Sequence, residues 1–235
     1  MVNAPSPSDG RLARYLNGDA IGNETDELAG WLRAAPRFAA FADANRDKIR
    51  KKLRNATDAA ARLDVRAELR VARWLLADRR IELDFEPDGS ARGGPDFRVA
   101  FRSHPAFNLE VTRPRRAPDA TGIARIVLAK LRQLPPGMPN VIAVAVDALV
   151  DGATIADAAR HLRSRADAGD AAMLARGGFA SGRDFYQRFL RLAAVVTCCE
   201  AADGDSRAAV WINPSARISV PDRALRACLA ALRSS

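Results

Sequence analysis

Two acidic residues, Asp96 and Glu110, are the strongest candidates for chemistry in this sequence. Asp96 follows the bend Gly93-Gly94-Pro95, and Glu110 lies between Leu109 and Val111 in the next alternating run. Antiparallel pairing of the two runs would bring both carboxylates to one point on a sheet surface. Two carboxylates that close repel each other unless a cation lies between them, and hard oxygen ligands favour Mg²⁺ or Mn²⁺. The alternative is a pair of solvent-facing strand residues.

Glu68 is a third candidate ligand, on a predicted helix upstream of the acidic pair. It shares a helical stripe with Ala61, Ala72 and Leu75, so its carboxylate lies at the margin of an otherwise apolar face. If that face packs on the sheet, Glu68 points toward the same edge as the acidic pair. A buried carboxylate needs a partner or a metal. The alternative is an ion pair with a nearby arginine at the border of the helix.

Other catalytic classes find little support. His104 precedes Pro105 in a turn and His161 lies among arginines on a predicted helix, and neither has a matched Ser or Cys partner for a triad. The three cysteines lack CxxC spacing, which argues against a disulfide framework and against zinc. The sequence has no GxGxxG or Walker-type loop.

The strands that must position the acidic pair are predicted from hydrophobic periodicity. Three runs of period two predict half-buried strands, and the turn sequences between them favour an antiparallel meander. These runs are Ile81–Phe85, Phe97–Phe101 and Phe107–Val111. The apolar run Val141–Val146 predicts a central strand covered on both faces. Two further runs, Ala193–Cys198 and Ala208–Ile212, flank a polar turn at Ala202–Ser206 and predict a hairpin that extends the sheet.

Predicted helices precede, connect and follow these strands. They cover Thr25–Asn55 with a break at Pro36, Asp58–Arg80 with Thr57 as N-cap, Asp119–Leu134, residues 152–194 with a break at Arg176–Gly182, and a last helix from Pro221. This order predicts an α/β (α+β) fold and not a repeating doubly wound sheet. We expect a flexible lead at residues 1–22, a helical segment at 23–57 and an α/β domain at 58–235.

The order of elements resembles a known family. A helix with Glu, a strand opening with Pro-Asp, a strand carrying Glu, a helix and a buried strand are the pattern of the restriction-endonuclease-like superfamily, the PD-(D/E)xK nucleases. The resemblance covers roughly residues 60–150, with a looser match in the hairpin Ala193–Asn213. It implies a mixed sheet with a three-strand antiparallel meander, a crossover helix and flanking helices.

The resemblance also implies a site. Asp96 and Glu110 would hold one or two divalent ions, Mg²⁺ or Mn²⁺, together with the backbone carbonyl of Val111 and the carboxylate of Glu68. The ion and a nearby lysine would activate water to attack a phosphodiester.

The sequence departs from this pattern at Thr112, where the family has a lysine two residues after the second acid. Threonine can hydrogen-bond a phosphate oxygen but brings no charge. Three interpretations remain open. The lysine has moved to the next helix, as in some branches of the superfamily, where Lys130 and Gln133 would orient water or phosphate. Alternatively an arginine beyond the strand clamps the phosphate, with Arg113, Arg115 and Arg116 as candidates. In the third interpretation the site is degenerate.

The composition allows a nucleic-acid partner without requiring one. The formal net charge is +9 and the pI about 10.4, which favours polyanions. Nearly all the positive charge is arginine, however, as the codon bias of a GC-rich genome would also produce. No stretch approaches the roughly 18 apolar residues of a bilayer span, and the N-terminus lacks the apolar core of a signal peptide. We therefore expect a soluble cytoplasmic protein.

The sequence thus predicts a divalent-metal-dependent nuclease that acts on DNA or RNA, and DNA is the favoured partner. Thr112, Arg113, Arg115 and Arg116 would contact the nucleic acid, and binding would weaken steeply with salt. The alternative is a catalytically inactive domain of the same fold that binds nucleic acid or protein. No membrane partner is expected, and a homodimer is compatible with either function.

Overall fold

The computed structural model describes residues 23–88, 94–201 and 205–233. Contacts within the chain divide it into two compact units, the first ending at Ala77 and the second beginning at Asp78. This division follows the helix that carries Glu68, later in the chain than the boundary predicted at residue 58. The predicted lead at residues 1–22 and the glycine turn at residues 89–93 lie outside the described residues, as does the middle of the predicted turn at Ala202–Ser206.

The described part of the first unit is helical. Its helices are α1 (Asn23–Ala34), α2 (Pro36–Ala44), α3 (Arg46–Asn55) and α4 (Ala59–Leu76). Pro36 begins α2 as predicted, because it lacks the N–H that would continue α1. A second break at Asn45 was not predicted. There the side-chain amide of Asn45 donates to the carbonyl of Phe41 at 2.9 Å, and so competes with the backbone N–H of the same residue, which donates to that carbonyl at 3.1 Å.

The predicted ends of α4 are wrong at both termini. Asp58, and not Thr57, is the N-cap, and its carboxylate accepts a hydrogen bond from the N–H of Ala61 at 2.7 Å. The helix ends at Leu76, four residues before the predicted end at Arg80. Asp78 accounts for the early end, because its carboxylate accepts the backbone N–H of Arg80 at 2.9 Å and forms a turn in place of a helical bond.

The second unit is built on a six-stranded mixed sheet whose order follows the chain from β1 to β6. The strands are β1 (Ile81–Phe85), β2 (Phe97–Phe101), β3 (Phe107–Thr112), β4 (Asn140–Ala145), β5 (Leu192–Glu200) and β6 (Ser206–Ile212). The first three form the predicted antiparallel meander. β4 pairs parallel to β3 and β5 parallel to β4, while β5 and β6 form the predicted antiparallel hairpin. The prediction of a mixed α/β fold is confirmed at this level.

Helices cover the central strands of this sheet. They are α5 (Ala120–Lys130) with a 3₁₀ turn (Leu131–Gln133), α6 (Gly152–Asp167), α7 (Ala171–Gly177), α8 (Gly182–Phe189) and α9 (Asp222–Ala231). The helices α5 to α8 share one apolar core with alternate residues of β4, Ile142 and Val144. Val141 and Ala143, which alternate with them, are also buried, so β4 is the doubly covered central strand that its apolar run predicted. Gly178 ends α7 in the left-handed conformation, with φ of 69°.

The three cysteines, Cys198, Cys199 and Cys228, are free and buried. Burial raises the pKa of the Cys228 thiol to about 12, so this thiol is uncharged at neutral pH. None of the described helices is both long and apolar enough to cross a membrane.

Candidate active site

The meander brings the backbone of Asp96 beside that of Glu110. Phe97 pairs with Leu109 across β2 and β3. Asp96 directly precedes Phe97, and Glu110 directly follows Leu109. The Asp96 carboxylate is tied to the same strand, because its Oδ2 accepts the backbone N–H of Val111 at 2.8 Å. The three positions expected to supply oxygen ligands from the sheet therefore adjoin one another.

Glu110 lies in an ion pair with Lys130. The Lys130 Nζ donates to Oε1 of Glu110 at 2.7 Å. Both side chains are largely withdrawn from solvent, since the exposed fraction is 11% for Glu110 and 24% for Lys130. The same Nζ lies 3.3 Å from Oε1 of Gln133. The structure thus brings Glu110, predicted on a strand, together with Lys130 and Gln133, predicted on the helix that follows it.

The crossover helix α5 explains how Lys130 reaches the strand. Asp119 is the N-cap of the helix, where its carboxylate accepts the N–H of Gly122 at 2.7 Å, and Lys130 is the last residue of the helix. A cation in the last turn is favoured by the partial negative charge at a helix C-terminus. The following 3₁₀ turn then places Gln133 three residues further on. These local features hold the ammonium and the amide at one end of the helix.

Two buried asparagines beside Glu110 were missed by sequence reasoning. Asn108, on the same face of β3 as Glu110, donates from Nδ2 to Oδ1 of Asn140 on β4 at 3.1 Å. Both amides are almost fully buried. Together with Glu110 and Gln133 they line a narrow crevice. The available signal was a polar amide inside an apolar strand, where Asn is depleted.

The predicted nucleic-acid contacts follow directly on the strand of Glu110. Thr112 ends β3 and is half-buried, paired with Val144 of β4. Arg113 is half-buried, while Arg115 and Arg116 are exposed in the bend after the strand. A basic segment therefore begins three residues beyond Glu110.

Glu68 belongs to the first unit and has an ion-pair partner there. Its carboxylate lies 2.5 Å from the Nζ of Lys52 on α3, and the residue is 7% exposed. The expected alternative to a ligand role was an ion pair with an arginine, and the observed cation is a lysine. The role of Glu68 as a metal ligand stays a prediction.

The donor set of the candidate site suits a hard divalent ion. Within residues 23–88, 94–201 and 205–233, no group of three or more His, Cys, Asp or Glu side chains is arranged to hold a metal. Asp96 and Glu110 offer two carboxylates, next to the backbone of Val111. Mg²⁺ is commonly held by one or two carboxylates, with waters and substrate phosphates completing its shell. A site with two carboxylates therefore suits Mg²⁺ better than a site whose ligands all come from the protein.

No family model matches the chain, and no curated protein or solved structure is significantly similar to it. The resemblance to the restriction-endonuclease-like superfamily therefore stays a prediction, drawn from the order of elements and from the residues of the candidate site.

Proposed function

We propose that the second unit is a divalent-metal-dependent nuclease of the PD-(D/E)xK type, which hydrolyses phosphodiester bonds in DNA or RNA. The observation that carries the proposal is the 2.7 Å contact between Lys130 Nζ and Glu110 Oε1. Thr112 leaves the lysine position of the family pattern empty of charge. Lys130 brings an ammonium to the second acid from the crossover helix, which favours the first of the three interpretations of that gap.

In this proposal the metal is Mg²⁺ or Mn²⁺, and Asp96, Glu110 and the carbonyl of Val111 would hold it. When bound, such an ion supplies Lewis-acid activation of the phosphodiester. The hydrogen bond from the Val111 N–H fixes the Asp96 carboxylate on β3 before any ion arrives. Preorganised ligands of this kind need no rearrangement at the moment of reaction.

Lys130 would orient the attacking water or a phosphate oxygen. An ammonium has three N–H donors. One is directed to Glu110 and one to Gln133, which leaves a third for a phosphate oxygen or a water. Gln133 would hold the ammonium in place through its Oε1 and present its own amide N–H groups to the same ligand.

The basic segment after β3 would bind the nucleic-acid backbone. Thr112 can donate its hydroxyl to a phosphate oxygen, and Arg113, Arg115 and Arg116 carry positive charge along the next four residues. Contacts of this kind position a nucleic acid without reading its sequence. They would therefore support a nuclease that selects its substrate by the shape of the nucleic-acid backbone at the metal more than by base sequence.

The topology of the sheet also supports the proposal. The family pattern needs a meander carrying both acids, then a crossover helix and a strand that returns beside the third one. Here β1 to β3 form that meander, α5 follows, and β4 pairs parallel to β3. The central strand is buried, as in the pattern from which the resemblance was drawn.

A second function remains open because the acidic residues have partners within the protein. Asp96 accepts a backbone N–H and Glu110 accepts an ammonium. These contacts would stabilise the sheet without any metal. The alternative is therefore a catalytically inactive domain that binds nucleic acid or protein through its basic segment.

Cleavage assays on the full chain separate the two functions. Supercoiled plasmid, single-stranded DNA and RNA would be incubated with Mg²⁺, Mn²⁺ or EDTA, using wild type, Asp96→Asn and Glu110→Gln. Asp84→Asn is the matched control, because Asp84 is an exposed carboxylate on β1 of the same meander. We expect metal-dependent cleavage that survives in the control and falls by about 10²-fold or more in the two site variants. Binding without cleavage by the wild type under every metal condition would establish the inactive alternative.

A further inference from the structure

The second unit contains a basic cavity at the end of β2 that lies farthest from Asp96. The cavity has a volume of about 370 Å³, and its lining includes Arg80, Phe101, Arg102, His104, Arg223 and Arg226. Arg80 directly precedes β1, Phe101 ends β2, and Arg102 and His104 lie in the turn after it. The last two residues come from α9. Four arginines and a histidine thus line one space, and no acidic residue is among the lining residues.

This cavity is separate from the candidate active site. Phe101 lies five residues beyond Asp96 along extended chain, which corresponds to about 17 Å. The two sites also use opposite faces of the sheet. Phe101 shares a face with Phe97 and its partner Leu109, whereas alternation directs Glu110 to the other face. A ligand bound in the basic cavity would therefore be distinct from a substrate at the candidate active site.

An aromatic ring forms the floor of the cavity and orients its cations. The Phe101 side chain is 4% exposed. The Cζ atoms of Arg80 and Arg102 lie 5.2 and 5.8 Å from its ring centroid. The imidazole of His104 stacks on the same ring, with 5.7 Å between the two ring centroids and 17° between the ring planes. Cation–π contacts of this kind hold guanidinium groups before a ligand arrives, so less side-chain freedom is lost on binding.

Arg80 is also held by Asp78. Its Nη2 lies 2.7 Å from Oδ2 of Asp78, and its Nε lies 2.9 Å from Oδ1. The hydrogen bond from Arg80 holds the pKa of the Asp78 carboxyl below its ordinary value, so that this carboxylate stays charged. Asp78 offsets one of the four arginines, which leaves a formal charge of +3 on these five residues.

The backbone at Arg102 adopts a conformation that L-residues avoid. Arg102 has φ of 51°, in the left-handed region, where glycine or asparagine would be favoured. Its N–H donates to the carbonyl of Arg80 at 3.2 Å, which joins two of the cavity arginines through the main chain. Arginine in place of glycine at such a position costs stability, and costs of this kind cluster at binding sites.

We propose that this cavity binds the pyrophosphate group of a small phosphorylated ligand of the nucleoside di- or triphosphate class. A pyrophosphate group carries about three negative charges near neutral pH, which matches the charge of the cavity. Arginine forks bind phosphate oxygens in pairs. The volume lies in the range of small-molecule sites. This binding activity does not depend on the proposed nuclease function.

Isothermal titration of the full chain with inorganic pyrophosphate, orthophosphate and ADP tests the proposal, in EDTA so that no metal takes part. We expect pyrophosphate and ADP to bind on the order of tenfold more tightly than orthophosphate, with affinities that fall as salt rises. Arg226→Gln should weaken pyrophosphate binding by about tenfold or more. The matched control Arg125→Gln, at an exposed arginine of α5, should leave binding unchanged, and so should Glu110→Gln.

Arg102→Gly separates a binding role from a structural one. Glycine accommodates the positive φ, so this variant should keep a melting temperature no lower than that of the wild type while losing pyrophosphate affinity. Unchanged pyrophosphate affinity in both Arg226→Gln and Arg102→Gly would overturn the proposal. So would an equal loss of affinity in the Arg125→Gln control, which would assign binding to general charge.

Competition with oligonucleotides distinguishes the sources of the ligand. A 5′-triphosphate oligonucleotide that displaces pyrophosphate better than a 5′-hydroxyl one supports the same chemistry at the end of an RNA. Displacement by ADP alone supports a free nucleotide. Equal displacement by both oligonucleotides would contradict the proposal, because the cavity would then be part of a surface for the nucleic-acid backbone.

Discussion

Lys130 contacts Glu110 although the two are separated by twenty positions in the chain. A lysine at position 112 would have come from the same strand and, by alternation, from the same face as Glu110. At the scale of single residues, an ammonium beside the second acid can therefore be supplied from either of two elements. The proposed chemistry requires an ammonium at a given point in space, whichever residue in the sequence supplies it.

We predict that Lys130→Met impairs catalysis without impairing metal binding. Loss of the ammonium should lower single-turnover cleavage by about 10²-fold or more. The affinity for Mn²⁺ should stay the same or rise, because a cation near the carboxylates opposes a second one. Titration calorimetry and cleavage kinetics measure the two effects separately. Lys51→Met, at an exposed lysine of α3, is the control, and a matching loss of Mn²⁺ affinity in Lys130→Met would argue against this division of roles.

The same argument predicts a rescue. In the Lys130→Met background, Thr112→Lys should restore cleavage by on the order of tenfold, because the new ammonium projects from the face of β3 that carries Glu110. Thr112→Arg is the informative comparison, since arginine keeps the charge but hardly loses its proton. Rescue by arginine equal to that by lysine would mean that charge alone is required at this position, and rescue by neither would place the role of Lys130 elsewhere.

At the scale of elements, the side chain of Asp96, just before β2, is hydrogen-bonded to the backbone of β3. Its carboxylate accepts the Val111 N–H at 2.8 Å, next to the pair formed by Phe97 and Leu109. A charged acceptor on a backbone N–H is among the stronger hydrogen bonds in proteins. The same side chain is therefore expected to serve the sheet and the metal.

Two substitutions at Asp96 should separate these roles. Asp96→Asn keeps an oxygen that can accept the Val111 N–H, whereas Asp96→Ala leaves that N–H without it. We expect the free energy of unfolding to be lower in Asp96→Ala than in Asp96→Asn by about 1–3 kcal/mol. Both variants should lose metal-dependent cleavage. Urea unfolding gives the first quantity, and equal stabilities would show that the bond to Val111 contributes little.

Local patterns in the sequence predict most of these elements because periodicity is a local property. The alternation at Ile81–Phe85 and Phe97–Phe101, for example, reports directly which side of a strand is buried. The capping at Asp58 and the break at Asn45 escaped prediction because neighbouring polar side chains compete for the same backbone groups. The pairing of Asn108 with Asn140 escaped it because the two residues meet only after α5 returns β4 to β3.

The candidate active site and the basic cavity differ in the same way, because the first depends on local sequence and the second on contacts between distant segments. The acidic pair follows from a meander of short turns, so its register is nearly local. The basic cavity is not local, since it joins Arg80 and Arg102 to two arginines of α9 that lie over a hundred residues later. No pattern within one element predicts that meeting.

At the scale of the whole molecule, several carboxylates make stability depend on pH. Hydrogen bonds from Thr154 and Met173 hold the pKa of Asp151 and Asp170 below their ordinary value, and a hydrogen bond from Arg80 does so for Asp78. A carboxyl whose folded pKa is lowered stabilises the fold above its unfolded pKa of about 3.9 and loses that contribution as pH falls through the folded value.

We therefore predict that the melting temperature falls steeply below about pH 4, where these three carboxyls take up protons on unfolding. Thermal scans between neutral pH and strongly acidic pH measure this. Asp151→Asn and Asp170→Asn should each make the acid slope shallower, because an amide keeps the cap but does not titrate. Asp84→Asn, at an exposed strand residue, serves as the comparison. A slope that is unchanged in both cap variants would assign the acid loss to other groups.

The net charge of +9 bears on nucleic-acid binding only through where the charge lies. If the segment after β3 contacts phosphates, each arginine lost should reduce the slope of log affinity against log salt by about 0.9 for duplex DNA. The double variant Arg115→Gln/Arg116→Gln should then lower the slope by about 1.8. Arg160→Gln removes an exposed arginine that pairs with Asp157, and it should leave the slope unchanged. Fluorescence anisotropy of a labelled duplex over a salt series, in EDTA, measures both. A uniform loss of affinity at constant slope would mean that Arg115 and Arg116 act through the fold and do not touch phosphate.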